Sequence, residues 1–132
     1  RMRKLKDHPD ERVKFPIQGT GQDTRAFIFV DDFIDGLSLV IDKGEHLGIY
    51  HIGTTEEIAI SDAAIEVGRY FNREIEVVPG PPAPGGTPRR CPDISKLTAL
   101  GYSSKVPFKQ GVPLIAKWYD ENADMFAGGS TA

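Results

Sequence analysis

Apolar positions fall into two rhythms along this chain, one of helical period and one of short β-branched or aromatic runs, and the two alternate. Phe33, Ile34, Leu37, Val40 and Ile41 make one helical stripe with Asp35, Ser38 and Asp42 opposite, which predicts an amphipathic helix ended by Gly44. Asp31 and Asp32 stand where they would cap that helix. A second helix is expected from Ser61, taken as its N-cap, to about Phe71, with Ile60 and Ile65 placed as a hydrophobic staple. Asp93 is expected to cap a short helix carrying Ile94, Leu97 and Leu100, closed by Gly101 with Tyr102 packing back toward Leu97. Pro113 reads as the first turn of a last helix with the stripe Leu114, Ile115, Trp118 and Tyr119.

Between these lie the strand candidates Val13 to Ile17, Ala26 to Val30, Leu47 to Ile52 and Glu74 to Val78. Strands alternating with helices predict an α/β fold with parallel, right-handed crossovers. The run PGPPAPGGTP, Pro79 to Pro88, lacks donors and is entropically costly to order, so it reads as a loop or lid within one domain. The first ten residues support at most a short helix, and the tail AGGSTA after Phe126 is expected to be disordered, giving one domain over 1–126 and a tail over 127–132.

Composition narrows the function classes. At 132 residues there is room for one core. Charged residues are 27% and the net charge is −3, which argues against general nucleic-acid binding. The basic cluster Arg1, Arg3, Lys4 and Lys6 reads as the solvated face of a terminal helix. The single Cys91 precludes an intrachain disulfide and fits a reducing cytoplasm. No apolar run approaches the roughly 20 residues of a membrane helix. His8, His46 and His51 have no metal-ligand spacing to one another or to Cys91, and His51 reads as a strand residue. Glu56 and Glu57 read as an exposed turn.

Arg25 follows the loop Gly19 to Thr24 at the point where the chain becomes apolar, and Arg89 and Arg90 close the proline loop. The guanidinium is always charged and carries a planar fork of donors suited to phosphate oxygens. On residue type alone, surface charge is the plainer reading of such loop arginines. GTGQDT opens like a dinucleotide fingerprint, but Thr24 stands where the third glycine belongs and a strand follows where a helix is needed.

The run QDTRAFIFVDDFIDGL, the segment IYHIG and the block TPRRCPDISKLTALGYSSKVPFKQGV resemble, in order, the C-terminal substrate-binding part of the extended short-chain dehydrogenases, a family of NAD-dependent nucleotide-sugar epimerases, 4,6-dehydratases and UDP-glucuronate decarboxylases. The resemblance covers about Val13 to Asp120 and implies a partial Rossmann-like fold that is fragment-like, entered without the dinucleotide-binding half. In the family one arginine in the Q-x-R-x-F block and one just before Pro-Asp close on the diphosphate. By position these are Arg25 and Arg90, with Arg89 as a substitute, Gln22 shaping the loop, and Pro16 and Ile17 passing along the base. The family's chemistry needs NAD and a Tyr-x-x-x-Lys pair. None of Tyr50, Tyr70, Tyr102 and Tyr119 has lysine four residues on. The expectation is therefore a chain that grips a nucleoside-diphosphate sugar, binds no cofactor, is not catalytically self-sufficient, and associates with itself or with a missing N-terminal half. The rival is a stand-alone interaction or regulatory module that keeps the fold without the ligand.

Overall fold

The computed structural model describes residues 5, 6 and 8–122. In chain order they form β1 (Arg12–Pro16), β2 (Thr24–Ala26), α1 (Val30–Lys43), β3 (Glu57–Ala59), α2 (Ile60–Tyr70), β4 (Glu74–Val78), β5 (Arg89–Arg90), α3 (Ser95–Ala99) and α4 (Phe108–Glu121). The strands form two small sheets, β1-β4 and β3-β2-β5. β1 and β4 are parallel, with Val13 opposite Ile75 and Phe15 opposite Val77, and α2 leads directly into β4. β2 is antiparallel to β3 and parallel to β5. This is a partial α/β fold, as the alternation of periods predicts.

The β1-β4 pair appears within a residue of its expected place because β4 is rich in β-branched residues, Ile75, Val77 and Val78, and β1 sets Val13 and Phe15 opposite Ile75 and Val77. Gly68 lets α2 lie close on the strand after it, since a Cβ there would stand 2.3 Å from Ile75 Cγ1. The expected C-terminus of α3 also forms: Gly101 has φ +101°, and the Tyr102 amide donates to the Leu97 carbonyl at 3.3 Å. Leu97 and Tyr102 are both buried there, the Tyr102 hydroxyl donating to Gly53 O at 3.1 Å.

Other expectations need correction. Ala26 to Val30 is not a strand; β2 ends at Ala26 and α1 begins at Val30. Neither aspartate caps α1, whose N-cap is Phe29. Asp32 instead is buried, and its carboxylate accepts the Lys105 and Val106 amides at 3.0 Å and the Ser104 hydroxyl at 2.9 Å. It therefore fastens the segment before α4 onto α1. Ser61 is not an N-cap either. α2 begins at Ile60, and its first amides donate to the carbonyls of Asp23 and Gly21, both at 3.0 Å. Backbone from the glycine loop has taken the role expected of a side chain. Asp93 does accept the Ser95 amide, at 2.9 Å, one position ahead of the helix N-cap Ile94. Pro113 lies inside α4, which starts five residues earlier with the Phe108 amide bonded to Glu56 Oε2 at 2.8 Å. Glu56 is thus a helix cap and not a turn residue.

The largest departure is α1. Its buried residues are Asp32 and Gly36, one turn apart, because a Cβ on Gly36 would meet Ile52, Leu97 and Tyr102 within 3.3 Å. The apolar stripe faces the other way: Ile34 is 53% and Ile41 74% exposed, with Phe33 and Leu37 also exposed. Leu47 to Ile52 is no strand, and Leu47 (φ 58°) and Ile49 stand out in solvent. A strand forms only where a neighbour takes its backbone groups, and no neighbour is present among the described residues. His51 is accordingly not a strand residue; its Nδ1 lies 3.3 Å from Asp93 O. The tail beyond 126 and residues 1–4 lie outside the described residues.

Asp32 generates the first prediction. Burial alone would push its carboxyl up, but the bonds from Val106, Lys105 and Ser104, with the Lys105 ammonium, together hold its pKa below the ordinary 3.8. A depressed folded pKa stabilises the fold above the unfolded value, and that contribution fades as pH falls through the folded one. Asp32→Ala should cost about 2–4 kcal/mol in urea unfolding near neutral pH, by stranding two amides and a hydroxyl. The difference from wild type should shrink toward about pH 3. An equal difference at both pH values would contradict the assignment.

Candidate functional site

Period-two alternation decides which side chains meet at the β3-β2-β5 sheet. Asp23, Arg25 and Phe27 from the β2 segment, and Gly86, Pro88 and Arg90 from the β5 segment, line one cavity of about 980 Å³. Its floor is apolar, built from Phe15, Ile17, Ile60, Ala63 and Val67, and the proline loop supplies the opposite wall through Gly80, Pro82 and Ala83. Two loops close the cavity's edge by exchanging backbone bonds: Gly19 N donates to Pro81 O and Gly80 N to Gly19 O, each at 3.1 Å.

Arg25 and Arg90 are register partners in the parallel β2-β5 pair, so their side chains leave the sheet side by side. Arg25 is half-tethered, with Nη1 donating to the Thr24 carbonyl at 2.7 Å and Nη2 3.6 Å from the Asp23 carboxylate. Arg90 donates from Nε to Thr87 Oγ1 at 2.9 Å. Two guanidiniums, one of them paired with Asp23, beside a largely apolar floor have the chemistry that suits a ligand with anionic groups and an apolar or aromatic part.

Arg89 goes elsewhere. It projects from the opposite face and grips Glu57 in bidentate fashion, at 2.6 to 3.1 Å, while Thr24 Oγ1 donates to the same carboxylate at 2.9 Å. Hydrogen bonds from Arg89 and Thr24 hold the Glu57 carboxyl below its ordinary value, and Glu57 in turn raises the Arg89 pKa. Glu57 was missed as a site-organising residue; beside Glu56 it looks like solvated charge, and only strand pairing reveals the arginine across from it. Of the remaining expected site residues, Ile17 lines the cavity, whereas exposed Gln22 and Pro16 do not. The Gln22 backbone amide donates to Thr20 Oγ1 at 3.3 Å, a bond that does not use the glutamine side chain.

Gly19 (φ +68°) and Gly21 (φ +84°) bracket the turn before β2. The turn does not fit a dinucleotide pyrophosphate, because it leads into a strand and its carbonyls already occupy the first amides of α2. Among the described residues no group of three or more His, Cys, Asp or Glu could hold a metal ion, and no helix is long and apolar enough to cross a membrane.

No protein-family model matches the chain. It is similar to the probable GDP-L-fucose synthase 1 of Oryza sativa subsp. japonica, 34% identical over 106 residues that cover 80% of this chain and 32% of that protein. UDP-glucuronic acid decarboxylase 2 of Arabidopsis thaliana is 31% identical over 119 residues, 88% of this chain and 26% of the relative. Among solved structures, the dTDP-glucose 4,6-dehydratase of Streptomyces venezuelae, crystallised with NAD, matches with a TM-score of 0.79 at 26% identity, covering 94% of this chain and 38% of that one. The chain belongs to the nucleotide-sugar epimerase and dehydratase family. It spans about a third of the length of these family members, 26% to 38% in the three named. The Rossmann-like relatives also account for the small, partial sheets of this family member.

Gly21 links the site to its support. A Cβ there would stand 2.5 Å from Ile17 Cδ1 on the cavity floor and 3.1 Å from Ser61 Cβ at the start of α2. Gly21→Ala should lower stability by more than the roughly 1–2 kcal/mol of left-handed backbone alone. Gly85→Ala, with φ +71° but open space around it, should cost no more than that backbone share. Thermal unfolding of both variants checks the ordering, and equal losses would show that the Ile17 contact is relieved without cost.

Proposed function

We propose that residues 1–126 form a single substrate-binding unit that grips the diphosphate of a nucleoside-diphosphate sugar between Arg25 and Arg90. The observation that carries this reading is the register of β2 and β5, which sets those two arginines side by side over one cavity. The three relatives are named for GDP-L-fucose, UDP-glucuronic acid and dTDP-glucose, which differ in base and sugar but share a diphosphate. A grip on that common group would suit all three. In a complete NAD-dependent epimerase, dehydratase or decarboxylase, this unit would hold the nucleotide while the sugar reaches a cofactor carried outside these residues. Its contribution is binding, with no hydride or proton transfer of its own.

The test is a titration of UDP, GDP and dTDP into wild type and into Arg25→Ala, Arg90→Ala and Arg89→Ala, followed by NMR. Each charge-assisted hydrogen bond contributes about 1.5–3 kcal/mol, so losing Arg25 or Arg90 should weaken binding roughly 10- to 150-fold. Arg25→Lys should recover only part of the loss, because an ammonium lacks the planar fork. NAD should give no saturable response. Equal responses in wild type and both clamp variants would overturn the reading.

The exposed stripe of α1, with Leu47 and Ile49, favours association with another polypeptide surface. On its own the chain should cover this face with a second copy. Light scattering at about 100 μM should give at least twice 14.5 kDa. Ile34→Asp combined with Ile41→Asp should shift it toward monomer, and a monomeric wild type would contradict the assignment.

A further inference from the structure

Arg90 can act with Arg25 only if β5 keeps its register, and β5 is two residues long at the end of a loop of prolines and glycines. Its backbone tie to β2 includes the Thr24 amide donating to Pro88 O at 2.9 Å. So short a parallel pairing is weak by itself. The other face of the same sheet supplies what the backbone lacks. Thr24, Arg89 and Glu57 come from β2, β5 and β3 respectively, and because side chains alternate they all leave the face opposite Arg25 and Arg90. Arg89 reaches across β2 to Glu57 through three contacts of 2.6, 2.9 and 3.1 Å, and Thr24 donates into the same carboxylate at 2.9 Å.

We propose that Glu57 is a positioning residue: by gripping Arg89 across β2 it locks β5 in register and so sets Arg90 beside Arg25. The inference rests on the reading of those two arginines as a diphosphate clamp, and it adds that the clamp's geometry is controlled from the sheet's far face. Arg89 takes no direct part in the ligand; it is the handle by which Glu57 holds Arg90. A bidentate arginine-carboxylate pair fixes direction as well as distance, which is what a register lock requires and what a lone charge would not supply.

Two readouts separate this proposal from the clamp reading. The first needs no ligand: amide hydrogen exchange at Thr24, bonded to Pro88 O, compared with Ile17, bonded to Val78 O at 3.1 Å in the other sheet. Glu57→Ala should speed exchange at Thr24 on the order of tenfold while leaving Ile17 unchanged. The second is UDP titration, in which Glu57→Ala should weaken binding roughly three- to tenfold although Glu57 does not line the cavity. Combining Glu57→Arg with Arg89→Glu rebuilds the bridge in reverse and should restore both readouts to within about twofold. Unchanged exchange at Thr24, equal acceleration at Thr24 and Ile17, or failure of the reversed pair to restore Thr24 protection would each overturn the positioning role. Should wild type fail to bind UDP, the clamp reading falls, and the Thr24 and Ile17 comparison still decides whether Glu57 locks β5.

Discussion

Three residues of backbone, Thr24 to Ala26, have to satisfy a neighbour on each side, and the rest of the site follows from that constraint. With β3 antiparallel on one edge and β5 parallel on the other, the pleat leaves no choice about which way Arg25 points. One face becomes a cavity wall bearing Arg25 and Arg90; the other becomes the Thr24-Glu57-Arg89 network. A slip of β5 by one residue would carry Arg90 to the face of Glu57 and bring Arg89 to the cavity face. Adjacent arginines at the end of the proline loop therefore leave opposite faces of the sheet.

How much of this is legible from residues alone depends on whether the relevant neighbour is close in sequence. The β1-β4 pair, the close of α3 at Gly101 and the identity of the loop from Pro79 to Pro88 all rest on local composition and turn chemistry, and they appear where expected. Asp32, Ser61 and Glu57 fail for a common reason. Each looks like a local feature, a cap or an exposed turn, but its surroundings come from segments tens of residues away: Lys105 and Val106 for Asp32, Gly21 for Ser61, Arg89 for Glu57. Acidic residues in an isolated sequence are read as solvated by default, and tertiary hydrogen bonding overrides that default.

The helix α1 shows the same limit from the apolar side. Its period was correctly legible, yet its stripe is exposed and its buried positions are a glycine and an aspartate. Burying a leucine, isoleucine or phenylalanine is favourable by about 1.5–3 kcal/mol each, so a helix that turns four such residues to solvent leaves that stabilisation unused among the described residues. Leu47 to Ile52 points to the same conclusion, because a strand-like sequence without a ladder partner stays irregular. Family members roughly three times as long have the material to provide such a surface.

The α1 face and the arginine cavity differ in how far the described residues complete them. The α1 face lacks apolar area, which any complementary surface can supply, whereas the arginine cavity is already organised within the described residues by backbone bonds between loops 17–21 and 79–81 and by carbonyls that serve α2. Gly21 and Asp23 join the two functions, since the same loop that carries Arg25 also closes the N-terminus of α2, whose Ile60, Ala63 and Val67 form the cavity floor. A ligand drawn between Arg25 and Arg90 would therefore load β2, its loop and α2 together. Binding energy gained at the arginines would stabilise the floor by linkage, even though the floor offers the phosphates nothing. That coupling would depend on the β5 register, which the Glu57 carboxylate braces from the far side of the sheet.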